Sequence, residues 1–261
     1  MQAIDLRTDL RSLRVRFTHL KHMANAPIFY RHAIEHHADT PQMAFGRGVH
    51  SIVLGGAQVV MYDGTRRGQK WLEFVQSHPG HEILSREEWD RAHWCADAIR
   101  ANPDASDLLK WSSHERYIEW ENCGRACRST IDMLGHDYIA DLKTANTVNP
   151  NLFVWAGRRL FYHAQLAWYK QAAQWECHKP IDRAYLVTVM SKAPFVVQTY
   201  ELTPDALLEG DKLCRIWLEQ LLACESANVW PGYSDTILPF DVPHDDGTRL
   251  VIDGEEMQID G

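Results

Sequence analysis

Three aspartates and one lysine stand among apolar residues in one short stretch. In IDMLGHDYIADLKTAN, Ile131–Asn146, Asp132 is followed nine residues later by Asp141, and Lys143 comes two beyond. Both apolar runs read as buried strands joined by a turn at Gly135-His136-Asp137. Asp132, at the end of one strand, and Asp141, on its neighbour, would then converge across the turn. Residues two apart in a strand share a face, so Asp141 and Lys143 point the same way and Leu142 points into the opposite layer. Hard cations such as Mg²⁺ take oxygen ligands, usually one or two carboxylates with water and substrate phosphate. The backbone carbonyl of Leu142 would add another oxygen. A lysine beside a metal-bound water would position or deprotonate it, or stabilise charge developing at phosphorus. Hydrolysis of a phosphodiester needs that arrangement.

Two further motifs carry polar groups of the same kind. GRGVH, Gly46–His50, places a histidine on an early helix, where it would ligate a metal or orient a ligand water. QLAWY puts Gln165 and Tyr169 four apart and hence on one helical face, and Tyr162, three before Gln165, extends that stripe. A buried glutamine needs partners, which makes Gln165 a candidate to face phosphate or the lysine.

The elements that would hold these residues follow from periodicity and punctuation. Residues 8–38 read as helical material interrupted near Pro27. Residues 40–56 form a helix ended by Gly55-Gly56, and 57–64 a short strand with a turn at Asp63-Gly64. A helix over 85–102 begins in a capping box, Ser85 with Glu88, and stops before Pro103. Strands follow at 112–122, 127–135 and 137–145, then one long amphipathic helix at 149–175. Two strands, 182–192 and 195–202, come next with Ala193-Pro194 between them, then a helix over 203–228 with Thr203 as cap and Pro204 in its first turn. That order predicts an α/β (α+β) protein, a central mixed β-sheet flanked by helices.

Composition narrows the classes. The 261 residues, 45% hydrophobic and 24% charged, suffice for a sizeable core and predict one domain, 1–261, with an acidic, poorly periodic tail from about 241. No run approaches the roughly 18–20 apolar residues of a membrane span. The charged N-terminus, MQAIDLRTDLRSLRVRF, lacks the apolar core of a signal peptide. A soluble cytoplasmic protein is expected, and its six cysteines, without any C-x-x-C pair, read as free thiols. Net charge is −8, yet it is unevenly spread. Residues 235–261 hold eight acids against Arg249, whereas residues 1–34 hold six bases against Asp5 and Asp9. A basic front and an acidic tail would let one side face a nucleic acid. There is no G-x-x-x-x-G-K-[ST] loop, so no nucleotide-driven motor accompanies the carboxylates.

Taken in order, GRGVH, STIDML, IADLKTA and QLAWY resemble the PD-(D/E)xK nuclease superfamily, with its restriction-endonuclease-like core. Within it they look like the RecB-type branch, and most closely the nuclease domain of the RecE-type exodeoxyribonuclease VIII family of phages and prophages. TPQMAFGRGVHSIVL, SHERYIEW, the helix after the lysine and WPGYSDTILPF extend the likeness from about Phe17 to Phe240. Ile131 stands where the superfamily's eponymous proline would, a position without a chemical role.

The resemblance implies that Asp132 and Asp141 hold Mg²⁺, with Mn²⁺ as a substitute, together with the Leu142 carbonyl. It implies Lys143 as the catalytic lysine, His50 as auxiliary ligand or orienter, and Glu115 as a second-site carboxylate, with Glu119 and Glu121 close by in the same strand. Gln165 and Tyr169 would complete the site. It further implies 5′-to-3′ digestion of one strand of linear duplex DNA, leaving a 3′ overhang for a single-strand annealing protein of the RecT or Bet kind. A ring-shaped homo-oligomer in a bacterial host, and a 5′ phosphate held by Arg16, Lys21 or Arg31, belong to the same set of expectations. Two alternatives are a structure-specific endonuclease of the superfamily and a catalytically inactive DNA-binding module.

Overall fold

The computed structural model describes residues 10–36 and 39–240, and the backbone alone of 249–252 and 255–258. In chain order the helices are α1 (Phe17–Leu20), α2 (Pro27–Glu35), α3 (Pro41–Leu54), α4 (Gln69–Ser77), α5 (Arg86–Ala101), α6 (Pro103–Lys110), α7 (Pro150–Arg159), α8 (Tyr162–Cys177) and α9 (Pro204–Ala227). The strands are β1 (Val59–Met61), β2 (Glu82–Leu84), β3 (Ser112–Asn122), β4 (Arg125–Gly135), β5 (Tyr138–Ala145), β6 (Arg183–Met190), β7 (Val197–Glu201), β8 (Arg249–Ile252) and β9 (Glu255–Gln258). None of the described helices is long and apolar enough to cross a membrane.

The expected mixed sheet is present, with order β3-β4-β5-β6-β7. The pairs are antiparallel except β5–β6, which is parallel and is joined through α7 and α8. Alternation along the central strands sends side chains into two cores. Ile139, Ala184 and Leu186 pack with α8 and α9 on one face. Ala140, Leu142, Val187 and Val189 pack with α3 and α5 on the other. Period-2 burial on both faces is what a central strand of a covered sheet requires.

One irregularity creates the space for a site. The β4–β5 ladder consists of Met133↔Ala140 and Leu134↔Ile139 and goes no further. Beyond it the strands fork, and the edge of β4 released by β5 is taken by the N-terminal segment. There Val15 donates to Ala126 O at 2.9 Å and accepts from Arg128 N at 2.9 Å. Asp132 and Asp141 are the first residues past the last ladder pair, one on each arm of the fork.

Elsewhere the structure departs from the expected elements. The long helix over 149–175 is two helices, because Phe161 takes a left-handed φ of 61°. No proline or glycine marks that break. Gly157 permits it: a Cβ there would lie 3.1 Å from Tyr162 Cδ2, so the tyrosine ring folds back onto α7. The stop at Pro103 is also a start, since Asn102 caps the end of α5 and its side chain accepts from Ala105 N at the head of α6. Pro27 begins α2 instead of interrupting it, and short 3₁₀ turns flank α1. The β8–β9 pair lies in a stretch without a strand signal. The rest of the acidic tail, from 241, lies outside the described residues.

Candidate active site

Each arm of the fork delivers one carboxylate. Asp132 Oδ2 accepts the backbone amide of Leu142 at 2.8 Å, so a side chain satisfies the N–H that the parting ladder left open. His50 comes from α3 and places Nδ1 3.3 Å from the same oxygen. Gly46, one turn before His50, lets the helix approach the sheet: a Cβ there would stand 3.3 Å from Thr144 Oγ1. The GRGVH motif therefore works as a pair, a glycine for proximity and a histidine for contact, on one helical face.

Glu115 enters from β3. The pairs His114↔Met133 and Arg116↔Ile131 bracket it, which sets it across from Asp132. Its φ of 50° breaks the ladder at that one position. A left-handed backbone at a non-glycine residue costs on the order of 1–2 kcal/mol, and such strain persists where surrounding structure over-determines it. One ligand atom each from His50, Glu115 and Asp132 lies within 4.8 Å of the others. Burial and the facing Asp132 carboxylate push the Glu115 carboxyl above its ordinary value. Two carboxylates that repel one another and one imidazole nitrogen, with Asp132 buried and the other two half-buried, form a donor set that fits Mg²⁺ or Mn²⁺.

Asp141 belongs to a second, adjoining group. Lys143 Nζ lies 2.5 Å from Asp141 Oδ2, an oxygen that has no other hydrogen-bond partner among the described residues. Gln165 Nε2 donates to Asp141 Oδ1 at 3.0 Å and to the Tyr169 hydroxyl oxygen at 3.1 Å. The face of Tyr162 lies 5.0 Å from Lys143 Nζ. The stripe Tyr162–Gln165–Tyr169 thus covers Asp141 and Lys143, and the break at Phe161 is what aims it there. Burial pushes the Asp141 carboxyl up to about 6, with Lys143 opposing the shift and Asp132 adding to it. Burial works against the Lys143 ammonium, but Asp141 and Asp132 outweigh it and hold the amine above its ordinary range. The Leu142 side chain is fully buried in the other core, and its amide serves Asp132.

The basic candidates divide. Arg16 and Lys21 line a cleft of about 670 Å³ together with Arg128, Tyr117 and Tyr169. Tyr169 is the wall this cleft shares with the Asp141 group. Burial and the neighbouring Lys143 lower the Lys21 amine, and burial with Arg128 lowers Arg16. Arg31 is instead ion-paired to Glu35 at 3.0 Å. Glu119 is paired with Arg14 at 2.6 Å, which leaves Glu115 as the glutamate at the fork. Arg128 is a member of the cleft that sequence reasoning missed. Its even spacing from Asp132 in the strand is the available signal, and that spacing does not single it out from other arginines.

The fold has relatives among solved structures. A "Putative exonuclease" from Eubacterium rectale superposes with a TM-score of 0.64 at 12% identity, over 94% of this chain and 98% of that one. The structure of SSO0001 covers 70% of this chain and 87% of its own at 10% identity, with a TM-score of 0.29. No curated protein matches the sequence. The family described as "PDDEXK-like domain of unknown function (DUF3799)" matches residues 17–239, a span that takes in every residue of the fork. The chain belongs to that PDDEXK-like family.

Proposed function

We propose that the protein is a divalent-metal-dependent deoxyribonuclease that digests linear duplex DNA from its ends. The observation that carries this reading is the fork, where Asp132 and Asp141 diverge beside Lys143. His50, Glu115 and Asp132 would hold the cation, with the Asp141 carboxylate next to it. When bound, Mg²⁺ would polarise a phosphoryl oxygen and lower the pKa of a bound water.

The chain's own groups supply the rest. Lys143 presents a fixed positive charge at a buried position, where developing charge on a phosphate oxygen is stabilised without reorganisation. Gln165 orients the Asp141 carboxylate through one oxygen and leaves the other to the lysine. The Tyr162 ring holds the ammonium over its face. Arg16, Lys21 and Arg128 offer a cationic wall for the sugar–phosphate backbone. Action from DNA ends agrees with the printed description of the fold neighbour, "Putative exonuclease". The 5′-to-3′ direction, the 3′ overhang, a single-strand annealing partner, a ring-shaped homo-oligomer and a cytoplasmic phage or prophage setting follow from the RecE-type resemblance.

Linear duplex labelled at the 5′ or the 3′ end, incubated with Mg²⁺ or with EDTA, tests the reading. Mg²⁺-dependent release of 5′ label is expected, with a covalently closed circle left intact and Lys143→Met inactive. Cutting of the circle would make the protein an endonuclease, and earlier loss of 3′ label would reverse the direction. A wild-type protein that leaves every substrate intact in Mg²⁺ and Mn²⁺ would overturn the assignment.

A further inference from the structure

His114 precedes Glu115 in β3, and its ring nitrogens are directed at two helix ends. Its Nδ1 lies 3.2 Å from Leu54 O and its Nε2 3.0 Å from Leu109 O. Leu54 is the last residue of α3, and Leu109 is next to last in α6. Helix ends leave carbonyl groups without partners. One imidazole therefore sits between the C-termini of two helices. A ring with one N–H donates to one carbonyl, and a ring with both protons donates to both.

The position of these bonds matters more than their number. Leu54 lies one turn after His50 on the same helix, so holding the end of α3 fixes the height and rotation of His50. His114 is also covalently next to Glu115, and it forms the last ladder pair, with Met133, before the left-handed residue. On the far side, Arg116 resumes the ladder and is tied to Glu176 of α8 at 2.5 Å. Glu115 is held out of the ordinary strand conformation between two anchored neighbours. Of these, His114 alone is also bonded to the helix that carries His50.

We infer that His114 is a positioning residue for the cation site, locking His50 and Glu115 into one constellation through a bond to the end of α3. This rests on the cation reading of His50, Glu115 and Asp132. Residues that orient metal ligands from outside typically alter metal affinity by about 10–100-fold when removed.

The test is a Mn²⁺ titration of DNA-free protein, followed by electron paramagnetic resonance, on wild type, His114→Ala, His114→Gln and Tyr138→Phe. Tyr138 is the control for helix anchoring alone, because its hydroxyl donates to Leu108 O at 2.7 Å, at the same end of α6, without reaching α3. His114→Ala should weaken Mn²⁺ affinity about tenfold or more. His114→Gln, which keeps one donor, should recover part of that loss, and Tyr138→Phe should bind as wild type does. Wild-type affinity in His114→Ala, or an equal loss in Tyr138→Phe, overturns the inference. Should the alanine variant not fold, the comparison of His114→Gln with Tyr138→Phe decides in the same way. A wild-type protein that takes up no Mn²⁺ removes the cation site itself, which is a different failure.

Discussion

The carboxylate of Asp132 accepts the backbone amide of Leu142 at 2.8 Å, so a side chain closes the fork at the point where the strand ladder stops. Asp132 is therefore both a candidate ligand and a structural acceptor, and two substitutions separate these roles. Asp132→Asn keeps a carbonyl oxygen for the amide, whereas Asp132→Ala leaves a buried N–H without a partner, at a cost of about 1–3 kcal/mol. Urea unfolding should show Asn near the wild type and Ala destabilised by that amount. Both should lose divalent-cation binding. Equal stability of the two variants would contradict the structural role.

Asp141 and Lys143 form a buried pair, 2.5 Å apart. Removing one partner of a buried pair typically costs about 3–5 kcal/mol, because the other charge is stranded, whereas replacing both with uncharged groups is often neutral. Lys143→Met and Asp141→Asn should each destabilise, and the double variant should lose less than the sum of the two. Each single change should also cost about 10²–10³-fold or more in cleavage rate. Strict additivity in a double-mutant cycle would show that the two groups do not interact.

Stability should follow the Asp141 carboxyl as pH changes. Burial lifts it from 3.8 to about 6, with Lys143 opposing. Between those values the folded state holds a proton that the unfolded chain has released, so this group's contribution falls as pH rises through about 6. Metal-free protein should accordingly gain melting temperature from this group as pH is lowered from about 6 towards 3.8, until protonation of other carboxylates takes over. Asp141→Asn should flatten that slope. A wild-type slope of opposite sign that persists unchanged in the variant would rule the account out.

The basic cleft makes a prediction that distinguishes its members from other arginines. Arg16 and Arg128 line it, and Arg31 is engaged with Glu35. Removing one cation that neutralises a phosphate lowers the dependence of log K on log salt by about one unit. Arg16→Ala and Arg128→Ala should each weaken duplex binding and flatten the salt dependence, while Arg31→Ala leaves both unchanged. Salt slopes from fluorescence anisotropy in Ca²⁺ would measure this, and an effect confined to Arg31→Ala would refute it.

How far the sequence led depended on what kind of signal was involved. The sheet strands, the Ser85–Glu88 capping box and the Thr203 cap were legible because they rest on local periodicity and local hydrogen bonding. The pairing of Asp141 with Lys143 was legible too, since parity along a strand decides it. The grouping within the site was not. His50, Glu115 and Asp132 gather on one side of the fork and leave Asp141 to Lys143 and Gln165, a partition set by where the β4–β5 ladder ends. No residue-level signal marks that point. The break at Phe161 was likewise invisible, because both flanks are helical and the left-handed residue is a phenylalanine, with the permissive glycine, Gly157, four residues earlier inside the first helix. Among the basic candidates Arg31 stands apart from Arg16 and Lys21 by a local signal, since Glu35 follows it at the four-residue spacing of a helical ion pair.

The placement of α8 gives a last prediction, in which two magnitudes compete. Gly210 lies inside α9, and a glycine in a helix interior is worse than alanine by about 1 kcal/mol. Intrinsic propensity alone would make Gly210→Ala stabilising. The structure opposes that, because a Cβ at Gly210 would meet His163 O at 2.5 Å and Ala164 Cα at 2.9 Å, both of them backbone atoms of α8. Backbone cannot rotate away as a side chain can, so α8 and α9 must separate, and overpacking of this kind costs about 1–3 kcal/mol. Strain should win, and Gly210→Ala should be destabilised in urea. The displaced segment lies next to Gln165, so cleavage should fall although the substituted residue touches neither Asp141 nor Lys143. A variant more stable than the wild type would show that the helices are not packed backbone to backbone here.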